Sequence, residues 1–184
     1  MSKRALILID IQNDYFEGGK WELDAMRIAA TNAASALAAA RAAGDKVIHV
    51  RHEFESDEAP FFAPGSTGAR INSLVQPLPD ESVVLKHQVN AFLGTDLKAQ
   101  LDAAGIEQVT LVGAMSHMCI DAAARASSDF GYATTVIHDA CATRDQEFEG
   151  QSIPAAQVHA AYMAALAFAY ANVVSTEQYL KDQR

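Results

Sequence analysis

Residues 4–10 read RALILID, a continuous apolar run closed by an acid. A strand with one wet face alternates apolar and polar residues. One without a polar face belongs to a parallel sheet covered by helices on both sides. The period changes downstream: residues 23–43 are rich in alanine, Met26, Ile28 and Leu37 punctuate the small residues, and Gly44 stands where a helix C-cap belongs. Residues 46–51, KVIHVR, are short and β-branched, a second strand. Strand, helix and strand in this order form the βαβ unit, whose crossover is right-handed.

The alternation continues after one interruption. Residues 52–81 hold prolines at 60, 64, 77 and 79, glycines at 65 and 68, and the Phe61-Phe62 pair. A loop of this length in a compact domain is an ordered excursion that carries function. Residues 82–86 (SVVLK), 107–113 (EQVTLVG), 133–139 (ATTVIHD) and 172–175 (NVVS) read as strands. Residues 95–104, 119–130 and 154–171 read as helices, the last opened by Pro154. Six strands alternating with helices predict an α/β fold: a three-layer α/β/α sandwich around a six-stranded, mainly parallel sheet, Rossmann-like in plan. Residues 1–184 form a single domain on this reading, with no internal repeat, low-complexity tract or linker.

Composition excludes several functions. With 50% hydrophobic residues over 184 positions, the chain can bury a core without disulfides or a structural metal. Fourteen basic against 23 acidic residues give a net charge of −9, which repels nucleic acid and anionic membranes. Two cysteines, Cys119 and Cys141, are too few for a disulfide scaffold and match no zinc-ribbon or CxxC spacing, so a reducing cytoplasm is expected. Lys3 and Arg4 precede a short apolar run, but Asp10 and Asp14 follow at once without a small-residue cleavage site, so this is a strand and not a leader. No apolar stretch reaches the roughly 20 residues of a bilayer helix. DIQNDY follows the first strand where a dinucleotide site would carry G-x-G-x-x-G.

In open α/β sheets ligands bind beyond the carboxyl ends of the strands, where strand order reverses. Asp10 closes the first strand, Lys86 closes the third, and Cys119 lies just past the fourth, where a helix begins at or next to it. Each has a plain structural reading alone: a turn cap, a surface lysine at a strand end, a buried packing cysteine. Together, acid, ammonium and thiol at converging strand ends are harder to explain as structure. A helix N-terminus and a nearby ammonium both favour a thiolate, so an acidified Cys119 is expected. The carboxylate can move a proton between the thiol and a leaving amine, and no histidine is needed.

Five blocks then extend the pattern along nearly the whole chain: LIDIQNDYF at 8–16, PGSTGARI at 64–71, VLKHQVNAFLGTDL at 84–97, VGAMSHMCIDAAARASSDFGY at 112–132 and VIHDACATRD at 136–145. In these the sequence resembles the isochorismatase-like cysteine hydrolases, which include nicotinamidases, N-carbamoylsarcosine amidase and isochorismatase. The resemblance implies the isochorismatase-like hydrolase fold and casts Asp10, Lys86 and Cys119 as an Asp-Lys-Cys triad. It also implies a non-proline cis peptide between Ala114 and Met115, turning the Met115 N–H toward the Cys119 N–H as an oxyanion hole. Nicotinamidases carry a metal site that begins Asp-x-His after the second strand, with another histidine following. Here Val50, Arg51 and His52 stand at that place and EFESDEAP offers no histidine, so no metal and no cofactor are expected.

The substrate pocket is expected to draw on Tyr15, Phe16, Trp21, Phe54 and His117, an aromatic set suited to a flat or apolar small molecule. His52 reads as a loop side chain. His49, His87, His138 and His159 read as packing or solvated groups. Asn13 and Asp14 read as satisfied turn groups. The favoured activity is hydrolysis of an amide, carbamoyl or ureide C–N bond through a Cys119 thioester. A vinyl-ether hydrolase of the isochorismatase type and a redox sensor thiol remain as alternatives. Alanine-rich helices and the Phe61-Phe62 loop are expected to leave apolar surface for a homodimer or homotetramer.

Overall fold

In the structure, a computed structural model that describes residues 3–183, the first strand (β1, Arg4–Ile9) lies inside the sheet and is buried from Ala5 onward. It pairs in parallel with β2 (Lys46–His52) and with β4 (Gln108–Ala114). β3 (Ser82–Lys86) closes one edge, and β5 (Ala133–Ala142) and β8 (Asn172–Val174) extend the other. The order β3-β2-β1-β4-β5-β8 is parallel at every pairing. It reverses between β1 and β4, which places a crevice at the carboxyl ends of those strands.

Side-chain alternation along β1 divides the core between two faces. Leu6 and Leu8 join the cluster under α1 (Met26–Ala43) and Tyr179 of α5 (Thr176–Asp182). Ala5, Ile7 and Ile9 join the cluster under α2 (Leu97–Ala103), α3 (Asp121–Asp129) and α4 (Ala155–Ala169). The result is a six-stranded parallel sheet flanked by helices on both faces. α1 turns Met26, Ala29, Ala30, Ala33, Ala36, Leu37 and Ala40 inward at helical spacing. It ends on Gly44 at φ 70°, whose N–H closes onto Ala40 and Arg41 carbonyls.

Several elements differ from the sequence reading. α1 starts at Met26, not Leu23, because residues 23–25 are drawn into other contacts. The Leu23 N–H donates to the Tyr15 carbonyl, the Asp24 N–H to the Thr143 carbonyl, and Ala25 turns left-handed at φ 54°. Cys119 does not open a regular helix. It lies in a π-helical turn, Ser116–Ile120, in which the Ile120 N–H reaches back to the Met115 carbonyl, and α3 follows at Asp121. A hairpin of β6 (Gln146–Phe148) and β7 (Gln151–Ile153) and the whole of α5 were not anticipated. Of the Phe61-Phe62 pair, Phe62 supplies no free apolar surface, being fully buried with its ring 4.6 Å from that of Tyr15, while Phe61 is half-buried. Among the described residues no helix is long and apolar enough to cross a membrane.

Candidate active site

Three strand ends deliver the three reactive groups. Asp10 follows β1 directly and is left-handed at φ 53°, a conformation an aspartate tolerates better than most residues, and its N–H donates to the Val50 carbonyl at 2.9 Å. Lys86 is the last residue of β3 and stands in register with His52, the last residue of β2. Neighbouring residues in register share a face of the sheet, so the histidine ring meets the lysine head. Cys119 arrives through the turn after β4, beyond the Ala114–Met115 peptide, which is cis.

Asp10 and Lys86 are wholly buried and Cys119 nearly so. The Lys86 ammonium lies 2.8 Å from Asp10 Oδ2 and 3.3 Å from Cys119 Sγ, and it donates to His52 Nδ1 at 3.0 Å and to the Gln88 carbonyl at 3.2 Å. Burial alone would lower the lysine's pKa. The Asp10 carboxylate first, with the hydrogen bonds to Asp10 and to the Cys119 sulfur, reverses that effect, so the net shift is upward and the ammonium keeps its proton. The thiol behaves differently from the sequence expectation. Burial first, then the Asp10 carboxylate, push Cys119 up to about 12 against the opposing pull of Lys86. Cys119 therefore rests as a thiol beside a carboxylate, not as a thiolate. The physical reason is the loss of water at the site, which costs the anion more than one shared ammonium returns.

His52 carries more of the site than its sequence reading suggested. The Gln12 side chain holds its backbone on both sides, accepting from the His52 N–H and donating to the His52 carbonyl at 2.8 Å each, while also donating to the Ala69 carbonyl. Burial, then the Lys86 charge, bring the ring down to about 4, so it is neutral. Asp14 performs a parallel task, accepting from the N–H groups of Phe62 and Lys20 and so fastening the long loop over the site. Gly68 has to be glycine there, because a Cβ would collide with the Asp14 carboxylate.

A cavity of about 330 Å³ opens above Cys119. Its apolar lining comes from Tyr15, Phe54, Phe61, Val89, Met115 and Met118, and its polar lining from Asp10, His52, His87 and Gln88. Of the pocket residues expected from sequence, Tyr15 and Phe54 stand in this lining and three others do not. Phe16 packs into the core beneath α1. Trp21 stacks behind Phe61 at 4.7 Å with the Arg144 guanidinium over its ring. His117 shares a 2.6 Å hydrogen bond with Thr143 Oγ1 and sets its ring against Tyr162. His52, Phe61, His87, Gln88, Val89 and Met118 were missed. The signal for His52 was its place one residue beyond the KVIHVR strand, opposite Lys86 once β2 and β3 are aligned.

The residues do not fit a metal site. Val50 is a buried apolar side chain, the Nδ1 of His52 is occupied by Lys86, and among the described residues no group of three or more His, Cys, Asp or Glu side chains gathers.

With that geometry in place, comparison with known proteins is decisive: the model of the isochorismatase domain matches residues 4–178. The chain belongs to the isochorismatase family. The isochorismatase family protein YddQ of Bacillus subtilis (strain 168) is 46% identical over 177 residues, covering 96% of this chain and 98% of that one. Streptothricin hydrolase of Streptomyces noursei is 36% identical over 144 residues, covering 77% of this chain but 50% of its own length. Ureidoacrylate amidohydrolase RutB of Rhizobium rhizogenes (strain K84 / ATCC BAA-868) is 27% identical over 172 residues, covering 76% of this chain and 70% of its own. The crystal structure of an isochorismatase hydrolase from Oleispira antarctica matches with a TM-score of 0.94 and 55% identity, over 97% of this chain and 96% of that one. Membership in this hydrolytic family makes the chain an isochorismatase-family hydrolase.

Proposed function

We propose that the protein hydrolyses a C–N bond of a small molecule through a thioester on Cys119, with Asp10, Lys86 and Cys119 as the catalytic groups. The observation that carries this is the single buried ammonium of Lys86, which lies within 3.3 Å of both the Asp10 carboxylate and the Cys119 thiol. The names of two relatives, streptothricin hydrolase and ureidoacrylate amidohydrolase, agree with hydrolysis, the second with hydrolysis of an amide-type bond.

Each proton has a place in this scheme. As Cys119 Sγ bonds to the substrate carbonyl carbon, its proton passes to Asp10 and the carbonyl π pair moves onto oxygen. The backbone N–H groups of Met115 and Cys119 are the donors assigned to that oxyanion. The oxyanion collapses, the C–N bond breaks, and the departing nitrogen takes the proton from Asp10. Water then gives a proton to Asp10 and attacks the thioester, and the acid leaves as Asp10 returns the proton to sulfur. Lys86 stays charged and holds the transient thiolate. A neutral resting thiol beside a base suits this sequence, because charge appears on sulfur only as the new bond forms.

Quenching turnover with acid and weighing the protein tests the reading. An acyl adduct confined to the Cys119 peptide is expected, and Cys119→Ala should lose at least about a thousandfold in kcat/KM. Near-normal turnover in Cys119→Ala would sink the thioester route and favour ether hydrolysis driven by Asp10.

A further inference from the structure

Resting on the amidase reading above, the geometry points to a narrower substrate class: we infer that the substrate is a small, uncharged amide with a flat or branched apolar acyl group and no carboxylate. Among the described residues no lysine or arginine lines the cavity over Cys119. Lys86, the nearest cation, lies beneath Asp10 and Cys119 with no exposed surface. Its three N–H bonds face four acceptors, Asp10 Oδ2, His52 Nδ1, the Gln88 carbonyl and Cys119 Sγ, so none is left over for a ligand.

The other ionisable groups around the cavity do not alter this balance. His52 is a neutral ring. Tyr15 is a buried phenol, held neutral by desolvation and by the nearby Asp10 charge. His87 engages its Nδ1 with the Glu53 carbonyl at 2.7 Å. Two arginines held by other residues stay outside the lining: Arg51 pairs with Glu53, and Arg144 lies over Trp21. A carboxylate entering the cavity would thus lose its water, find no lysine or arginine, and approach the Asp10 carboxylate. An uncharged acyl group meets none of these penalties. Tyr15, Phe54 and Phe61 offer ring faces and edges to a flat group, the centroids of Tyr15 and Phe54 lying 5.9 and 5.1 Å from that of Phe61. A volume of about 330 Å³ is at the small end for a ligand site, which limits the acyl group to about one ring or a short branched chain.

Matched pairs in which a carboxylate replaces one hydrogen or methyl test the inference: benzamide against 4-carboxybenzamide, and butyramide against succinamic acid. Ammonia release by the wild-type protein should favour the neutral member of each pair by at least about 100-fold in kcat/KM. Binding of the same pairs to Cys119→Ala, followed by calorimetry, should show the same order without needing any chemistry. Equal or better use of the carboxylate members overturns the inference and leaves the amidase reading intact. Neutral amides that bind Cys119→Ala but are never cleaved by wild type overturn the amidase reading, and the substrate assignment with it. Binding of neither member by Cys119→Ala overturns the inference.

Discussion

His52 Nδ1 accepts a hydrogen bond from the Lys86 ammonium at 3.0 Å, across the last register pair of β2 and β3. An ammonium can only donate, so the proton of the neutral imidazole sits on Nε2. A neutral acceptor at this place fixes the direction of the lysine head without cancelling its charge, as a second carboxylate would. His52 is a positioning residue on this account. His52→Leu should lower kcat about tenfold or more, the size of one hydrogen bond to a charged group, with a smaller change in KM. His52→Gln, which keeps an acceptor, should recover part of the loss. Steady-state kinetics decide it, and an unchanged kcat in His52→Leu would remove the positioning role.

The same ring makes folding sensitive to acid. His52 titrates at about 4 in the folded protein against 6.5 for a free side chain, with burial the larger cause and Lys86 the second. The unfolded chain therefore takes up this proton first as pH falls. The contribution is complete above pH 6.5 and drains away toward pH 4, roughly 3 kcal/mol in all. Urea midpoints at pH 7.5 and pH 4.5 should differ more for wild type than for His52→Leu. Equal differences in the two proteins would place the acid sensitivity elsewhere, the Arg41–Glu81–His49 cluster being the next candidate.

Alkylation of Cys119 gives a separate reading of the site. With burial and Asp10 holding the thiol up at about 12, iodoacetamide should react slowly at pH 7 and faster at each step above pH 9. Asp10→Asn removes the negative charge that raises the thiol, so alkylation near pH 8 should speed up while hydrolysis disappears. Lys86→Met should slow alkylation. A wild-type thiol titrating near the ordinary value of roughly 8.5 would contradict the buried, proton-sharing site described above.

Much of this molecule was legible in its sequence because its signals are local. RALILID, KVIHVR and SVVLK announce buried parallel strands, and the rule about their carboxyl ends gathers Asp10, Lys86 and Cys119 before any coordinate is seen. α5 was also within reach: Ser175 followed by Gln178 is a capping-box pattern, and the Ser175 hydroxyl does accept from the Gln178 N–H. What could not be read depends on register and burial. His52 matters only because β2 and β3 align it with Lys86. The thiol's raised pKa follows from a desolvation that no residue pattern displays. Phe16 and Trp21 sit as close to Asp10 in sequence as Tyr15 does, but the short helical turn at residues 13–15 points Tyr15 alone of the three into the cavity lining.

Gly113 ties the fold to the chemistry, and its replacement should show how tightly. It stands opposite Ile9 in the β1–β4 pairing, one residue before Asp10 on one strand and two before Met115 on the other. Its φ is 129°, a region closed to other residues, and a Cβ added there would overlap the Ile9 carbonyl oxygen. Backbone, not a flexible side chain, is in the way, so relief requires β1 and β4 to separate where they deliver Asp10 and the turn that carries Met115 and Cys119. Gly113→Ala should lose several kcal/mol, about 3 or more, or fail to fold. Gly94→Ala is the control. Its φ of 70° also favours glycine, but open space surrounds it, so a cost of about 1 kcal/mol is expected. Thermal denaturation of both variants separates the cases, and a Gly113→Ala protein as stable as Gly94→Ala would show that the strands yield there at little cost.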